Sequence, residues 1–172
     1  MSTGFSTEEL IYNYGWGING FEINHEKAFS LAQNAANAND EVGYLALGFC
    51  YYEGWGVEKN YKTSLSWFEQ TGEHEIANCN RGIIYYFGGF GVDIQLTKSV
   101  ECFRNAASVG NAKAQELLAD IYYTGEGAVF AQSFETARKL YKLAADQKNT
   151  EAQCKLETMR MLGLGGNDEE VA

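Results

Sequence analysis

Few side chains in this sequence could do covalent or metal chemistry. They are two histidines, His25 and His74, and four cysteines, Cys50, Cys79, Cys102 and Cys154. A zinc site needs closely spaced donors, as in C-x2-C or H-E-x-x-H, so that two ligands share one turn. Neither spacing occurs, and the cysteines read instead as small apolar residues packed between helices. Nucleophilic catalysis needs a nucleophile, a base and a group that orients the base, and no G-x-S-x-G elbow is present. The stretch "GGFGVDIQLTKS" (residues 88–99) has glycines and a lysine, but not at the spacing that cradles a phosphate. The sequence gives no positive reason to expect catalysis, a metal or a cofactor.

The glycines belong to a different pattern. "YNYGWGI" at residues 12–18 recurs as "YYEGWGV" at 51–57, "YYFGGFGV" at 85–92 and "YYTGEGA" at 122–128, and "RMLGLGG" at 160–166 keeps only the glycines. Aligned on Tyr12, Tyr51, Tyr86 and Tyr122, the steps are 39, 35 and 36 residues. That period is the range of a two-helix repeat stacked into a solenoid. Glycine ends the first helix of each repeat because it takes the left-handed conformation without a Cβ clash. Asn24, Asn60 and Ser133 are placed to cap the second helices, and Asp40 the first helix of the second repeat; Ser6 and Glu9 make a capping-box pair. No proline interrupts these helices. The repeats span about 6–39, 40–75, 76–111 and 112–149, with a partial fifth at 150–166, so residues 1–166 form one solenoid and 167–172 an acidic, flexible tail.

Helical phase separates packing residues from candidate contacts. Counting back from the tyrosine, Leu47 and Leu118 at −4 and the small Gly48 and Ala119 at −3 share one face with Ala114 at −8. Positions −6, −2 and +1 lie away from it. They hold Leu45, Phe49 and Tyr52 in the second repeat, Asn80, Ile84 and Phe87 in the third, and Glu116, Asp120 and Tyr123 in the fourth. These residues would line a partner groove, unless neighbouring helices bury every side. Trp16, Trp55 and Phe90 stand between the glycines, either as a contact strip or as covers for the hydrophobic seam of the next repeat.

Charge points to the partner. The net charge is −10, and residues 1–58 hold eight acids against Lys27 alone, which gives −7. Phosphate binding needs clustered lysine and arginine, so nucleic acid is not expected. An acidic third, with Glu8, Glu9, Asp40 and Glu41, fits a basic protein steered by long-range attraction, or serves solubility alone. The opening "MSTGFSTEEL" has no basic start or apolar run, and no stretch approaches 18 apolar residues. A cytoplasmic protein without secretory signal or membrane span, its thiols reduced, is expected.

The order A-x3-L-G-x2-Y-x2-G-x-G-V, a capped gap, then K-A-x2-W-[FY]-x2-A-A-x2-G resembles the Sel-1-like repeat, a relative of the tetratricopeptide repeat. Leu47, Gly48, Tyr51, Gly54, Gly56, Val57, Trp67 and Phe68 carry it in the second repeat, and Ala114, Leu118, Tyr122, Gly125, Ala137, Tyr141, Ala144 and Ala145 in the fourth. The first repeat departs by three extra residues between Gly17 and Ala28. The resemblance implies an all-α fold, a right-handed α/α superhelix of about 4.5 helix-turn-helix repeats, whose first helices line the concave side. It implies a non-catalytic protein-binding module: an adaptor or scaffold, or an immunity-type inhibitor of a bacterial toxin or effector. A β-lactam-binding subgroup has a disulfide in each repeat, which four unevenly placed cysteines do not fit. A hydrolase, and self-association through the terminal repeats, are the remaining alternatives.

Overall fold

A computed structural model describes residues 5–126 and 130–166 of the chain. The tail at 167–172, and Gly127 and Ala128 of the fourth glycine word, lie outside the described residues. Among the described residues there are nine helices and no strand: α1 (Thr7–Trp16), α2 (His25–Asn37), α3 (Glu41–Glu53), α4 (Tyr61–Glu69), α5 (Glu75–Phe87), α6 (Leu96–Ser108), α7 (Ala112–Thr124), α8 (Phe134–Asp146) and α9 (Thr150–Met161). They group into two compact bodies, one of Met1–Ala77 with Ile84–Ile94, the other of Asn78–Ile83 with Gln95–Ala172.

The caps follow from local chemistry. Ser6 and Glu9 form the reciprocal capping box, and the side chains of Asn24, Asp40, Asn60 and Ser133 each accept an orphan backbone N–H. Gly17, Gly54 and Gly125 close α1, α3 and α7 in the left-handed conformation. One further bond closes three of the hairpins. The N–H of Asn24, Asn60 and Ser133 donates, at 2.8 Å each, to the carbonyl of Tyr14, Tyr51 and Tyr122. That bond corrects the alignment. The first repeat's equivalent of Tyr51 is Tyr14, not Tyr12, because Gly17 rather than Gly15 is the cap. In the third repeat Gly88 follows the helix, which makes Tyr85 the equivalent. The three extra residues of the first repeat then vanish: cap glycine to small second-helix residue is 11 positions for Ala28, 10 for Ser64, 11 for Ser99 and 12 for Ala137.

Those small residues are all fully buried and bring the two helices of a hairpin together. The Ser64 hydroxyl donates to the Gly48 carbonyl at 2.7 Å, and Ser99 to Gly82 at 2.8 Å. One turn on, a large ring fills the space left by the glycine. A Cβ on Gly48 would stand 2.3 Å from the Phe68 ring, and one on Gly82 2.5 Å from Phe103. Ala119 and Tyr141 hold the same two positions in the fourth repeat, in one hydrophobic cluster. In the first repeat the sizes are exchanged, with Ile11 on α1 and Ala32 on α2, both fully buried in one cluster. The summed volume stays similar, as close packing requires.

Three of the four links between hairpins, those after α2, α6 and α8, are built alike on one left-handed residue, Asn39, Gly110 and Lys148 respectively. Each is followed by the same bond, from the N–H of Asp40, Asn111 and Asn149 to the carbonyl of Ala35, Ala106 and Ala144. Lysine carries a Cβ penalty there that glycine does not. Lys148→Gly is expected to stabilise the chain by about 0.5–1 kcal/mol, an increase of about 2 °C in the thermal midpoint. An unchanged or lower midpoint would remove strain at Lys148 from the account.

Candidate functional site

The predicted groove residues divide by burial. Leu45 and Ile84 are buried and present no surface. For Leu45 the reason is that α3 packs against α1, α2 and α4 together, so that "LALGFC" is apolar all round. Phe49 is half-buried, edge-on to Tyr12 and to Phe68 at 5.9 and 5.6 Å. Tyr52 stacks on Tyr61 at 5.1 Å, and Tyr61 meets Phe90 at 4.9 Å, so these three rings form one aromatic row. Phe87 is 64% exposed.

The residues between the glycines also separate. Trp16 is 52% and Phe90 58% exposed, whereas Trp55 is 3% exposed, under the backbone of Gly15 and stacked on His25. The corrected register explains this. Trp16 precedes its cap glycine and Trp55 follows its own, so the two are not equivalent, and Trp55 covers a hydrophobic seam instead of offering a contact. The tryptophans still touch, edge-on at 4.9 Å.

Glu116 is the third correction: it is buried, in the C-terminal body. It accepts from Lys113 at 2.9 Å, Asn149 at 3.1 Å and Lys155 at 3.1 Å. Asp120, partly exposed, accepts from Lys155 at 2.9 Å and from the Tyr141 hydroxyl. Tyr123, half-buried, lies edge-on to Phe134. Burial works to raise the Glu116 carboxyl, but the hydrogen bonds from Lys113, Asn149 and Lys155 outweigh it and hold the group below the usual carboxylate range. Burial and the Asp120 carboxylate push the Tyr141 phenol upwards. This network fastens α9 to α7, and its charges are spent on one another.

In the N-terminal body the acids are differently placed. Glu8, Glu9, Asp40 and Glu41 are exposed at or just before the first turns of α1 and α3, where the helix dipole favours them. None of the eight acids from Glu8 to Glu58 forms an ion pair with a described residue. Lys27, the single base in that stretch, donates to the Tyr14 hydroxyl and sits 4.1 Å from that ring's centre.

A groove of about 540 Å³ crosses α2, α3 and α4 in the same body. Tyr44 and Trp67 stack at 6.1 Å with 19° between the rings, and Phe29 meets Tyr51 edge-on at 5.9 Å. Gln33, Asn37, Ser66 and Gln70 supply the polar edge. Sequence reasoning missed it because Leu47 and Tyr51 carry the repeat signature and read as packing marks. The signal available was the stripe Tyr44, Leu47, Tyr51 on α3, matched by Phe29, Gln33, Asn37 on α2 at helical spacing.

Among the described residues no group of three or more histidines, cysteines or acids could hold a metal, and no helix is long and apolar enough to cross a membrane. None of the cysteines is joined in a disulfide, and burial pushes the thiols of Cys50 and Cys79 up to about 12, which keeps them protonated and poorly nucleophilic.

The Sel1 repeat family model matches residues 10–40, 42–74, 76–111 and 112–149. Among solved structures, the chain is similar to a protective antigen of uropathogenic Escherichia coli that displays an SLR fold, with 31% identity and a TM-score of 0.77. The match covers 95% of this chain but 34% of the E. coli protein, so this chain spans about a third of that relative's length. A Sel1 repeat protein from Oxalobacter formigenes is similar at 25% identity and a TM-score of 0.78, covering 96% of this chain and 67% of the other. No curated protein sequence matches. Four family repeats on consecutive helical hairpins, in an all-α fold shared with solved helical-repeat superhelices, place this chain in the Sel1 repeat family.

Proposed function

We propose that this protein binds a basic protein partner through its acidic N-terminal third and that binding inhibits the partner, as an immunity protein inhibits a toxin or effector. Sel1 repeat proteins generally act as protein–protein interaction modules, which supports the coarser part of this reading. The observation that carries the basic partner is the set of eight acids that form no ion pair among the described residues, with Lys27 turned onto Tyr14. Most described acids of the C-terminal body contrast with them: Glu116, Asp120, Glu135, Asp146, Glu151 and Glu157 each have a lysine or arginine partner, and Glu101 stands apart with no ion pair among the described residues. Exposed acids without local partners project a negative potential that a basic surface can complete. Trp16, Phe87 and Phe90 supply exposed apolar area in the same body, of the kind that anchors interfaces. Cysteines without disulfides fit the reducing cytoplasm as the compartment.

The variant Glu8→Lys, Glu22→Lys, Asp40→Asn, Glu41→Lys takes residues 1–58 from −7 to neutral while keeping a capping side chain at position 40. Immobilised wild type is expected to capture a dominant basic protein at low salt and release it as salt is raised, and the variant to retain at least tenfold less. The partner's own activity, lost in the complex, would support inhibition, and a partner that keeps its activity would make the chain an adaptor. Equal capture by both proteins would overturn the electrostatic reading.

A further inference from the structure

The groove across α2, α3 and α4 has a chemistry that narrows what it can receive. Its wall is aromatic, Tyr44 and Trp67 being stacked, and no charged side chain lines it. The carboxamides of Gln33, Asn37 and Gln70 make no hydrogen bond to any described residue, so their carbonyl oxygens and amino groups are open to a ligand. An aromatic face attracts a cation through its quadrupole, and it favours one that is planar and weakly hydrated. The helices around it, residues 24–70, carry six acids against Lys27, Lys59 and Lys62. Lys27 is held by Tyr14, and Lys59 lies 5.6 Å from the Phe90 ring. The groove is therefore uncharged inside and negative around.

We infer that this groove takes an arginine side chain on a segment of a protein partner, its guanidinium laid against Trp67 and its N–H groups donating to the carboxamide oxygens of Gln33, Asn37 and Gln70. The inference deepens the basic-partner reading and rests on it. Arginine is favoured over lysine because five donors in a plane can stack and hydrogen-bond at once, whereas an ammonium finds no carboxylate in the groove to offset its lost hydration. A neutral sugar would suit the aromatic wall and amides but would gain nothing from the surrounding acids. The cavity, between about 300 and 1,000 Å³, is of the size that encloses a small ligand or a few side chains.

The test uses a hexapeptide with two arginines among alanines and glycines, and copies with lysine or with citrulline, the uncharged isostere. Binding is followed by NMR on the full chain. The arginine peptide is expected to shift the Trp67 indole and the side-chain amides of Gln33, Asn37 and Gln70. The citrulline copy should bind at least tenfold more weakly, and the lysine copy several-fold more weakly. Trp67→Leu should lose at least tenfold, and Trp67→Phe, which keeps a ring, should fall between; thermal unfolding checks that both are folded. Equal binding of arginine and lysine peptides, indifferent to Trp67→Leu, would reduce the effect to diffuse charge and overturn the inference. A neutral oligosaccharide shifting these resonances while the arginine peptide does not would overturn it in favour of a sugar site. If neutralising Glu8, Glu22, Asp40 and Glu41 abolishes partner capture but Trp67→Leu does not, the groove assignment fails and the basic-partner reading stands. Arginine selectivity at Trp67 with no basic protein captured is the reverse case.

Discussion

Gly43→Ala is expected to destabilise the protein by about 3 kcal/mol, the upper end for overpacking a formed core. Gly43 lies in α3 where α2 crosses it, and a Cβ there would stand 2.1 Å from the backbone nitrogen of Ala36 and 2.6 Å from the carbonyl carbon of Ala35. A side chain in the way can turn aside; helix backbone cannot. Relief requires α2 and α3 to move apart, which opens the cluster of Ile11, Ala28, Ala32, Ala46, Leu47 and Trp55. Gly48→Ala is the comparison, since its obstacle is the Phe68 ring, which can shift. Urea unfolding should show Gly43→Ala clearly the worse of the two. Equal losses, or a loss under about 1 kcal/mol at Gly43, would mean that the helix crossing is not rigid there.

Glu116→Gln is expected to cost about 3 kcal/mol at neutral pH, at the low end for breaking a buried pair because Lys155 keeps Asp120. The sign of its pH dependence follows from the lowered carboxyl. Stability from Glu116 is complete above the ordinary unfolded value of about 4.3 and is lost as pH falls through the lower folded value. The gap between wild type and variant should therefore be flat from about pH 5 to 8 and close only below about pH 4. Lys155 behaves in the opposite sense. Burial works to lower its pKa, but Asp120 and Glu116 raise it above the ordinary value, so its contribution is lost only at strongly alkaline pH. A gap that varies across neutral pH would sink this account. Amide exchange should show α9 losing protection first, because Lys155 and Asn149 bind it to Glu116 on α7.

What was legible in the sequence was local. Caps at Ser6, Asn24, Asp40, Asn60 and Ser133 depend on a few neighbouring residues, and all are present as read. The register was harder, because Tyr12 and Tyr14, or Tyr85 and Tyr86, both stand near two glycines. The bond from the next helix's N-cap shows which glycine closes the helix in the first, second and fourth repeats, and the end of α5 at Gly88 shows it in the third. Burial was harder still. Leu45 and Phe49 are one turn apart on α3, yet the first is enclosed and the second partly open, which depends on helices distant in sequence. The aromatic groove was hidden for a related reason: Tyr51 holds its repeat together and lines the groove at once, so one residue carries two messages.

The exchange of Ile11 and Ala32 for Gly48 and Phe68 bears on how such a chain can be rebuilt. Grafting α3 in place of α1 would set glycine against alanine and leave a hole, while grafting α4 in place of α2 would drive phenylalanine into isoleucine. Moving both helices together conserves the fit. Recombination or duplication in this chain can therefore break at the loops between hairpins but not at the glycine words inside them, and a consensus averaged position by position over all four repeats would mix two incompatible solutions.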